Sequence, residues 1–391
     1  MQADRLRRAV RLAVALTLAI YAAALIQHPK YNWDVIGYTA AALSWAGLEG
    51  PALHAETFER VRAFVPARPF KELTEPDWEY GYRRAVYADP EALRQQVPWY
   101  SVKPAFVALA AAVAALGPGL PAAAHLVSAA GGIGALIVLA LWARRRLSVA
   151  AATLVCLAAV LSGLHEAARL PTPDALSILC ILAGCWLFAA GRGHTALAVL
   201  TGAIAIRPDN VLFLGLFALY AAVAAPAPFR LSRVAAAAAI LGGGTLYLTV
   251  KAATGYYGQT TILVHGFIGA LPYPATTPVA FGLDEYREVM AYRLPQAMRS
   301  DLDEVLRAVL GLALPLLTRR LDATVRMHAG LAAVAAAYVV LHFLLLPDLS
   351  VRFFAGQYAI IWLAAALALT AAMPEGRVRR LLSAQDFRLG R

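Results

Sequence analysis

Apolar and polar residues fall along this chain in long blocks, not in the short periods of a soluble fold. A first apolar run extends from Val10 to Ile26, and the chain turns polar at His28-Pro29-Lys30. It does not return to a clear apolar run until Pro104, and from there it is almost continuously apolar. A helix needs about 17–25 such residues to cross a bilayer. On that measure, spans are expected at 9–27, 122–142, 148–164, 174–190, 194–206, 209–225, 234–251, 304–318, 327–346 and 355–373. The 194–206 run is short and must borrow from its flanks. The segment 104–117, PAFVALAAAVAALG, is bounded by Pro104 and Gly117-Pro118. Its length suits a re-entrant or interfacial piece better than a span. The expected fold is an all-α polytopic membrane protein with ten membrane helices, or eleven if 104–117 crosses.

Composition agrees with the pattern: 60% of the 391 residues are hydrophobic, and only 15% are charged. Ordinary soluble domains hold about a quarter charged residues. The net charge of +11 is distributed unevenly. Arginines gather at Arg5/Arg7/Arg8/Arg11, Arg144-Arg145-Arg146, Arg192, Arg230/Arg233, Arg319/Arg320/Arg326 and Arg377/Arg379/Arg380/Arg388/Arg391. Only Asp4, Asp322, Glu375 and Asp386 oppose them in those segments, which leaves the rest of the chain slightly acidic. This is the positive-inside signature, and it assigns all six segments to the cytoplasmic side. The basic residues lie in loops between spans and form no groove for nucleic acid. The N-terminus reads as an uncleaved signal anchor. One membrane domain is expected over 1–391, with outer, periplasmic loops at 28–121 and 252–303 and a basic cytoplasmic tail at 374–391.

The first outer loop is near neutral and rich in aromatics: Tyr31, Trp33, Tyr38, Trp45, Trp78, Tyr80, Tyr82, Tyr87, Trp99 and Tyr100. Such density suits the headgroup layer. Cys156, Cys180 and Cys185 sit inside expected spans, so no disulfide framework is indicated. Histidines show no metal-binding spacing. The glycines of 131–134 and 242–244 suit close helix contact.

The midplane of the expected bundle is bare of charge, unlike that of an ion-coupled transporter. The outer rim instead offers the carboxylates Asp34, Glu166, Asp174 and Asp209 and the cations Lys103, Arg169, Arg207 and Arg352. Carboxylates act as bases or hold divalent ions, and arginines hold phosphates. Each residue also has a structural reading. Asp34 can be the N-cap of a helix over 35–45. Thr172-Pro173-Asp174 reads as a helix start, with Thr172 as cap. Arg207 and Arg352 can snorkel, Glu166 can pair with Arg169 across one turn, and His265 suits a structural role.

The motif order carries a resemblance. Asp34-x-x-x-Tyr38 follows the first span, and Trp99-Tyr100-Ser101-Val102-Lys103-Pro104 leads a short apolar piece. Then come His125-Leu126-Val127-Ser128, Pro173-Asp174-Ala175-Leu176, Arg207-Pro208-Asp209 and Val351-Arg352-Phe353-Phe354. This arrangement resembles the GT-C superfamily of membrane glycosyltransferases, which includes protein O-mannosyltransferases and aminoarabinose transferases. The resemblance implies a polyprenyl-phosphate-linked sugar as donor and transfer with inversion. It implies Asp34 as general base or metal-linked acid, Asp174 or Glu166 as the second acidic position, and Arg352 at the lipid phosphate. Tyr38, Lys103, Arg169 and Arg207 complete the expected substrate site. No acidic pair adjoins Asp34 and no Asp-x-Asp occurs in the first loop, so a divalent cation (Mg or Mn) at Asp34 and Asp174 stays open. The acceptor, whether glycan, lipid or protein, is not specified. The competing reading is a non-enzymatic flippase or export component for lipid-linked saccharides, for which the bare midplane offers no polar path.

Overall fold

A computed structural model describes residues 19–76 and 81–374. The N-terminal arginine cluster, the first half of the 9–27 run, Trp78, Tyr80 and the tail from 375 lie outside the described residues. Every regular element in the described residues is helical. Helix α1 (19–27) ends at His28. The first loop then folds into α2 (Asp34–Trp45), α3 (Gly50–Phe64), α4 (Ala67–Thr74), α5 (Tyr82–Ala88), α6 (Pro90–Ser101) and α7 (Pro104–Ala114). Two long helices follow. The first, α8, covers Leu120–Arg144; the second runs as α9 (Val149–Ala159) through a π-type turn, Val160–Leu164, into α10 (His165–Arg169). Next come α11 (Asp174–Ala189), α12 (Gly193–Gly202), α13 (Asn210–Leu219) and α14 (Arg233–Ala253). The second loop forms α15 (Gln259–Phe267) and α16 (Leu283–Ser300), and the chain closes with α17 (Leu302–Leu317), α18 (Ala323–Leu345) and α19 (Val351–Ala372).

Among the described residues, five helices are long and apolar enough to cross a membrane: Leu120–Arg144, Val149–Arg169, Arg233–Ala253, Ala323–Leu345 and Val351–Ala372. The remaining expected spans differ for physical reasons. The apolar helices Asp174–Ala189, Gly193–Ala205 and Asn210–Ala224 are shorter. At 1.5 Å per residue the first of these is about 24 Å long, against about 30 Å of hydrocarbon. Helix α17 opens with Asp303, Glu304 and Arg307, where Arg307 bonds both acids, so only its later part is apolar.

The 104–117 segment is bent by 106° from α6 at Lys103, so the two helices form a broken pair, not one straight span. Helix α7 packs back along the first half of α8, with Phe106, Val107 and Ala110 sharing a core with Leu120, Ala124 and Val127. Glycines permit the closest contacts. A Cβ on Gly37 would fall 2.2 Å from the Tyr100 ring, and one on Gly131 would fall 2.7 Å from the Leu176 backbone. Gly132 and Gly134 likewise face Ala168 and Leu179, whereas in the 242–244 run only Gly243 has a close neighbour. Gly163 sits inside the π-type turn with φ +103°, and a Cβ there would lie 2.6 Å from the carbonyl oxygen of Val351. Trp362 Nε1 donates to Ser162 Oγ in the same turn (3.0 Å). That bend therefore fixes where α19 begins.

Candidate active site

Five helix N-termini meet at one end of the bundle: those of α2, α7, α11, α13 and α19. The residues that open them line a cavity of about 320 Å³: Asp34 and Tyr38, Lys103, Asp174, Asp209, Arg352 and Phe353. Helix N-termini carry the positive end of the helix dipole, so their convergence favours an anion. A cation there is disfavoured by the same field, yet Lys103 occupies the N-cap of α7, and Arg352 the first turn of α19. Carboxylates offset that cost.

The charges form an alternating chain. Arg352 Nη1 donates to Asp34 Oδ2 (3.3 Å) and lies 3.8 Å from Asp174 Oδ2. Asp174 accepts from Arg207 Nη1 (2.7 Å) and from Thr172 Oγ1 (2.8 Å). Arg207 grips Asp209 with two bonds, Nε to Oδ1 (3.1 Å) and Nη2 to Oδ2 (2.6 Å). Tyr338 Oη donates to Asp209 Oδ2 (2.7 Å), and His342 Nε2 stands 3.5 Å from the same oxygen. Phe353 lies between the two guanidiniums, 4.9 Å from that of Arg207 and 4.8 Å from that of Arg352. Asp174 and Arg207 are 3% and 9% exposed. Removing one partner of such a buried network leaves the other uncompensated, at a cost of about 3–5 kcal/mol.

None of the three carboxylates serves as a helix cap. The N-cap of α2 is Trp33 and that of α11 is Pro173; neither these nor Asp209, at the N-cap of α13, makes a side-chain cap bond. The capping readings of Asp34 and Thr172 are thereby corrected. Asp34 stands one residue inside its helix, where its carboxylate accepts from Asn32 Nδ2 and from Arg352. Thr172 spends its hydroxyl on Asp174.

Two cations in the cavity have no carboxylate partner among the described residues. Lys103 Nζ donates to the Trp99 carbonyl (2.5 Å) and lies 5.7 and 5.4 Å from the Tyr38 and Tyr100 ring centres. Lys251 Nζ donates to Tyr247 Oη (3.0 Å) and lies 4.5 Å from the Tyr256 ring centre. Lys251, Tyr256 and His342 are among the lining residues that sequence reasoning passed over. Each falls at an end of an apolar run or just past one, where a snorkelling or interfacial residue looks the same.

The structure brings together Asp34, Tyr38, Lys103, Asp174, Arg207 and Arg352. Glu166 and Arg169 lie outside the cavity, and they do not pair with each other. Glu166 binds Lys30 Nζ (2.5 Å), and Arg169 Nε donates to the His28 carbonyl (2.7 Å). They tie the strand-like exit of α1 to α10, a contact that spacing along the sequence cannot reveal. His265 is structural, as expected: its Nδ1 accepts from Leu271 N–H (2.9 Å), and its ring sits 4.4 Å from Trp99 and 4.9 Å from Tyr82. Burial lowers its pKa to about 4.

The second loop roofs the cavity and is fastened on two sides. Toward the first loop, Tyr273 Oη donates to Asp89 (2.6 Å), which lowers the Asp89 pKa, and Gln96 Nε2 donates to the Pro272 carbonyl (2.9 Å). Toward the end of α18, Gln259 Nε2 reaches the Leu345 carbonyl (3.1 Å), and Arg293 Nε the Pro347 carbonyl (2.7 Å). Beside Asp209, Tyr338 is fully buried with Phe213 and Phe354, whose ring centres lie 5.8 and 6.1 Å from its own.

Among the described residues, no group of three or more His, Cys, Asp or Glu could hold a metal ion. Asp34 and Asp174 both turn to Arg352 instead. No family model, curated protein or solved structure matches this chain.

Proposed function

We propose that this chain is a GT-C-type membrane glycosyltransferase, moving a sugar from a polyprenyl-phosphate donor to an acceptor on the periplasmic face of a bacterial inner membrane. The observation that carries this reading is the cavity. It combines an anion-favouring ring of helix N-termini, two lysines without carboxylate partners among the described residues and a carboxylate, Asp34, aligned by Asn32 and Arg352. In this reading both chain ends are cytoplasmic, and ten helices, the short ones included, form the membrane domain.

The chemistry follows from the placement. Lys103 and Lys251 hold the donor phosphate, and Arg352 reaches it from α19. The acceptor oxygen attacks the anomeric carbon from the face opposite the phosphate. The sugar–phosphate C–O bond breaks, its electron pair leaves with the phosphate, and the acceptor proton passes to Asp34. The anomeric centre inverts. Asp174 and Asp209 hold Arg207, and through it the geometry of the network. No step runs through a divalent cation, because both candidate carboxylates are already engaged by arginine. The buried aromatic cluster of Phe213, Tyr338 and Phe354 beside Asp209 supports an enzyme over a flippase, which needs a polar path across the bilayer.

The test is binding of polyprenyl-phosphate lipid by full-length protein in nanodiscs. Lys103→Met and Lys251→Met each weaken binding by about tenfold to a hundredfold, the value of a charge-assisted contact. Glu166→Gln leaves it unchanged, since that carboxylate faces exposed Lys30. Equal binding by all three variants and the parent protein would remove the phosphate site and the reading with it.

A further inference from the structure

A second cavity lies at the opposite end of the same helices. It is a groove of about 760 Å³ between the π-type turn that ends α13, helix α17 and the first half of α18. Its apolar wall includes Leu216, Leu312, Pro315 and Val334, and Tyr220 forms part of its floor. That ring lies across Gly330, where a Cβ would fall 2.2 Å from the phenol oxygen, and the phenol donates to the Met327 carbonyl (3.0 Å). Glycine at 330 is thus what lets the groove form. Leu316, Leu317, Leu219 and Val223, from the same helical segments, are between 58% and 72% exposed, as befits a face turned to lipid.

The polar end of the groove is cationic. Arg230, Arg319 and Arg326 line it, and among the described residues no carboxylate does. The Arg230 guanidinium donates only to the Ala225 carbonyl (3.2 Å), and no ion pair is formed by Arg319 or Arg326 among the described residues. The nearby acid, Asp322, caps α18 by accepting from the N–H groups of Thr324 (2.7 Å) and Val325 (3.0 Å). Arg326 and His342 are separated by about 24 Å along α18 at 1.5 Å per residue, so this groove is distinct from the candidate active site.

We infer that the groove is a binding site for an anionic phospholipid, with the headgroup phosphate on Arg230, Arg319 and Arg326 and one acyl chain along the apolar wall. Charge complementarity selects the headgroup: three arginines without ion-pair partners among the described residues match a headgroup of net negative charge, whereas a zwitterionic lipid sets its own cation beside the same phosphate. Basic pockets between membrane helices on the positively charged side are suited to anionic lipids. The apolar continuation selects a lipid over free phosphate. Bound there, the lipid bridges α13, α17 and α18, two of which reach the candidate active site at their far ends.

Native mass spectrometry of the full-length protein tests this, with phosphatidylglycerol and phosphatidylcholine of identical chains added in equal amounts. The parent protein is expected to retain phosphatidylglycerol at least about tenfold better, the value of a single charge-assisted contact. Arg319→Gln with Arg326→Gln should abolish that preference. Arg145→Gln with Arg192→Gln removes two charges from outside the groove and should preserve it. Ala333→Trp, which fills the groove, should lower retention while leaving all three arginines in place. An excess of inorganic phosphate should leave the lipid bound. Equal retention of both lipids by the parent protein would overturn the inference. So would equal loss in the Arg145/Arg192 variant, which marks a diffuse basic surface, or displacement by inorganic phosphate.

Discussion

Asp34 and Arg352 are 318 positions apart and meet at 3.3 Å, so their roles can be separated by a double-mutant cycle. At that distance and an effective dielectric near 20, the gross attraction is about 5 kcal/mol. Both side chains are partly buried, 26% and 22% exposed, and desolvation leaves a net coupling of about 1–3 kcal/mol. Asp34→Asn keeps the shape and the contact with Asn32 but strands part of the Arg352 charge. Asp174, at 3.8 Å, takes up some of it, so the melting temperature should fall only modestly. Arg352→Gln should cost a similar amount, and the double variant should recover part of the loss. Activity should behave differently. If Asp34 takes the acceptor proton, Asp34→Asn loses about 10²–10⁴ in turnover. The double variant then stays inactive although its stability returns. Sugar transfer from a lipid-linked donor in proteoliposomes, read beside melting curves of the same preparations, gives both quantities. Recovery of activity together with stability in the double variant would show that Asp34 is only the partner of Arg352, and the proposed mechanism would fail.

Two further outcomes follow from the scaffold. His265 is held neutral by burial, with a pKa near 4 against an ordinary 6.5. Between those values the undocked loop takes up a proton that the docked loop does not, so docking is strongest above pH 6.5 and weakens as pH falls toward 4. The slope is about 1.4 kcal/mol per pH unit, and the loss is at most about 3 kcal/mol. Hydrogen exchange over 259–275 should therefore speed up from pH 7 to pH 5 after correction for intrinsic rates, and His265→Asn should flatten the dependence; no change in the parent protein would refute the assignment. Gly163→Ala should destabilise the fold by about 2 kcal/mol or more, from its left-handed backbone and from the clash with Val351. Because Val351 precedes Arg352, the variant should also lower donor affinity, and a parental melting temperature would show that the bend does not set α19.

Six of the eight residues singled out from sequence line one cavity because charge is scarce in this chain. Where spans carry almost no ionisable groups, those at helix ends have few places to go except toward one another. The same scarcity misled at Glu166 and Arg169. They are adjacent on one turn, but α10 faces the chain leaving α1, and Lys30 is the nearer partner. The capping residues were misplaced by one position because Pro173 and Trp33 take the cap, freeing both acids for tertiary bonds. Lys251 and His342 were illegible for a different reason. They end apolar helices, where long or amphipathic side chains are common, and only the roof formed by the second loop shows that they face inward. The bounds expected at 174–190 and 194–206 fall within a residue of the helices Asp174–Ala189 and Gly193–Ala205, because the turns at Ala190-Gly191 and at Ile206–Asp209 coincide with the ends of the apolar runs.

The convergence of five helix N-termini has a kinetic consequence. Their field comes from the backbone, so neither pH nor the loss of one lysine extinguishes it. A phosphodiester donor carries one negative charge at its phosphate, and the phosphomonoester left after transfer carries up to two. Under the proposed function, the cavity would grip the spent carrier more tightly than the loaded one. Escape of the spent carrier would then limit turnover, and added carrier lipid would act as a brake on the proposed reaction.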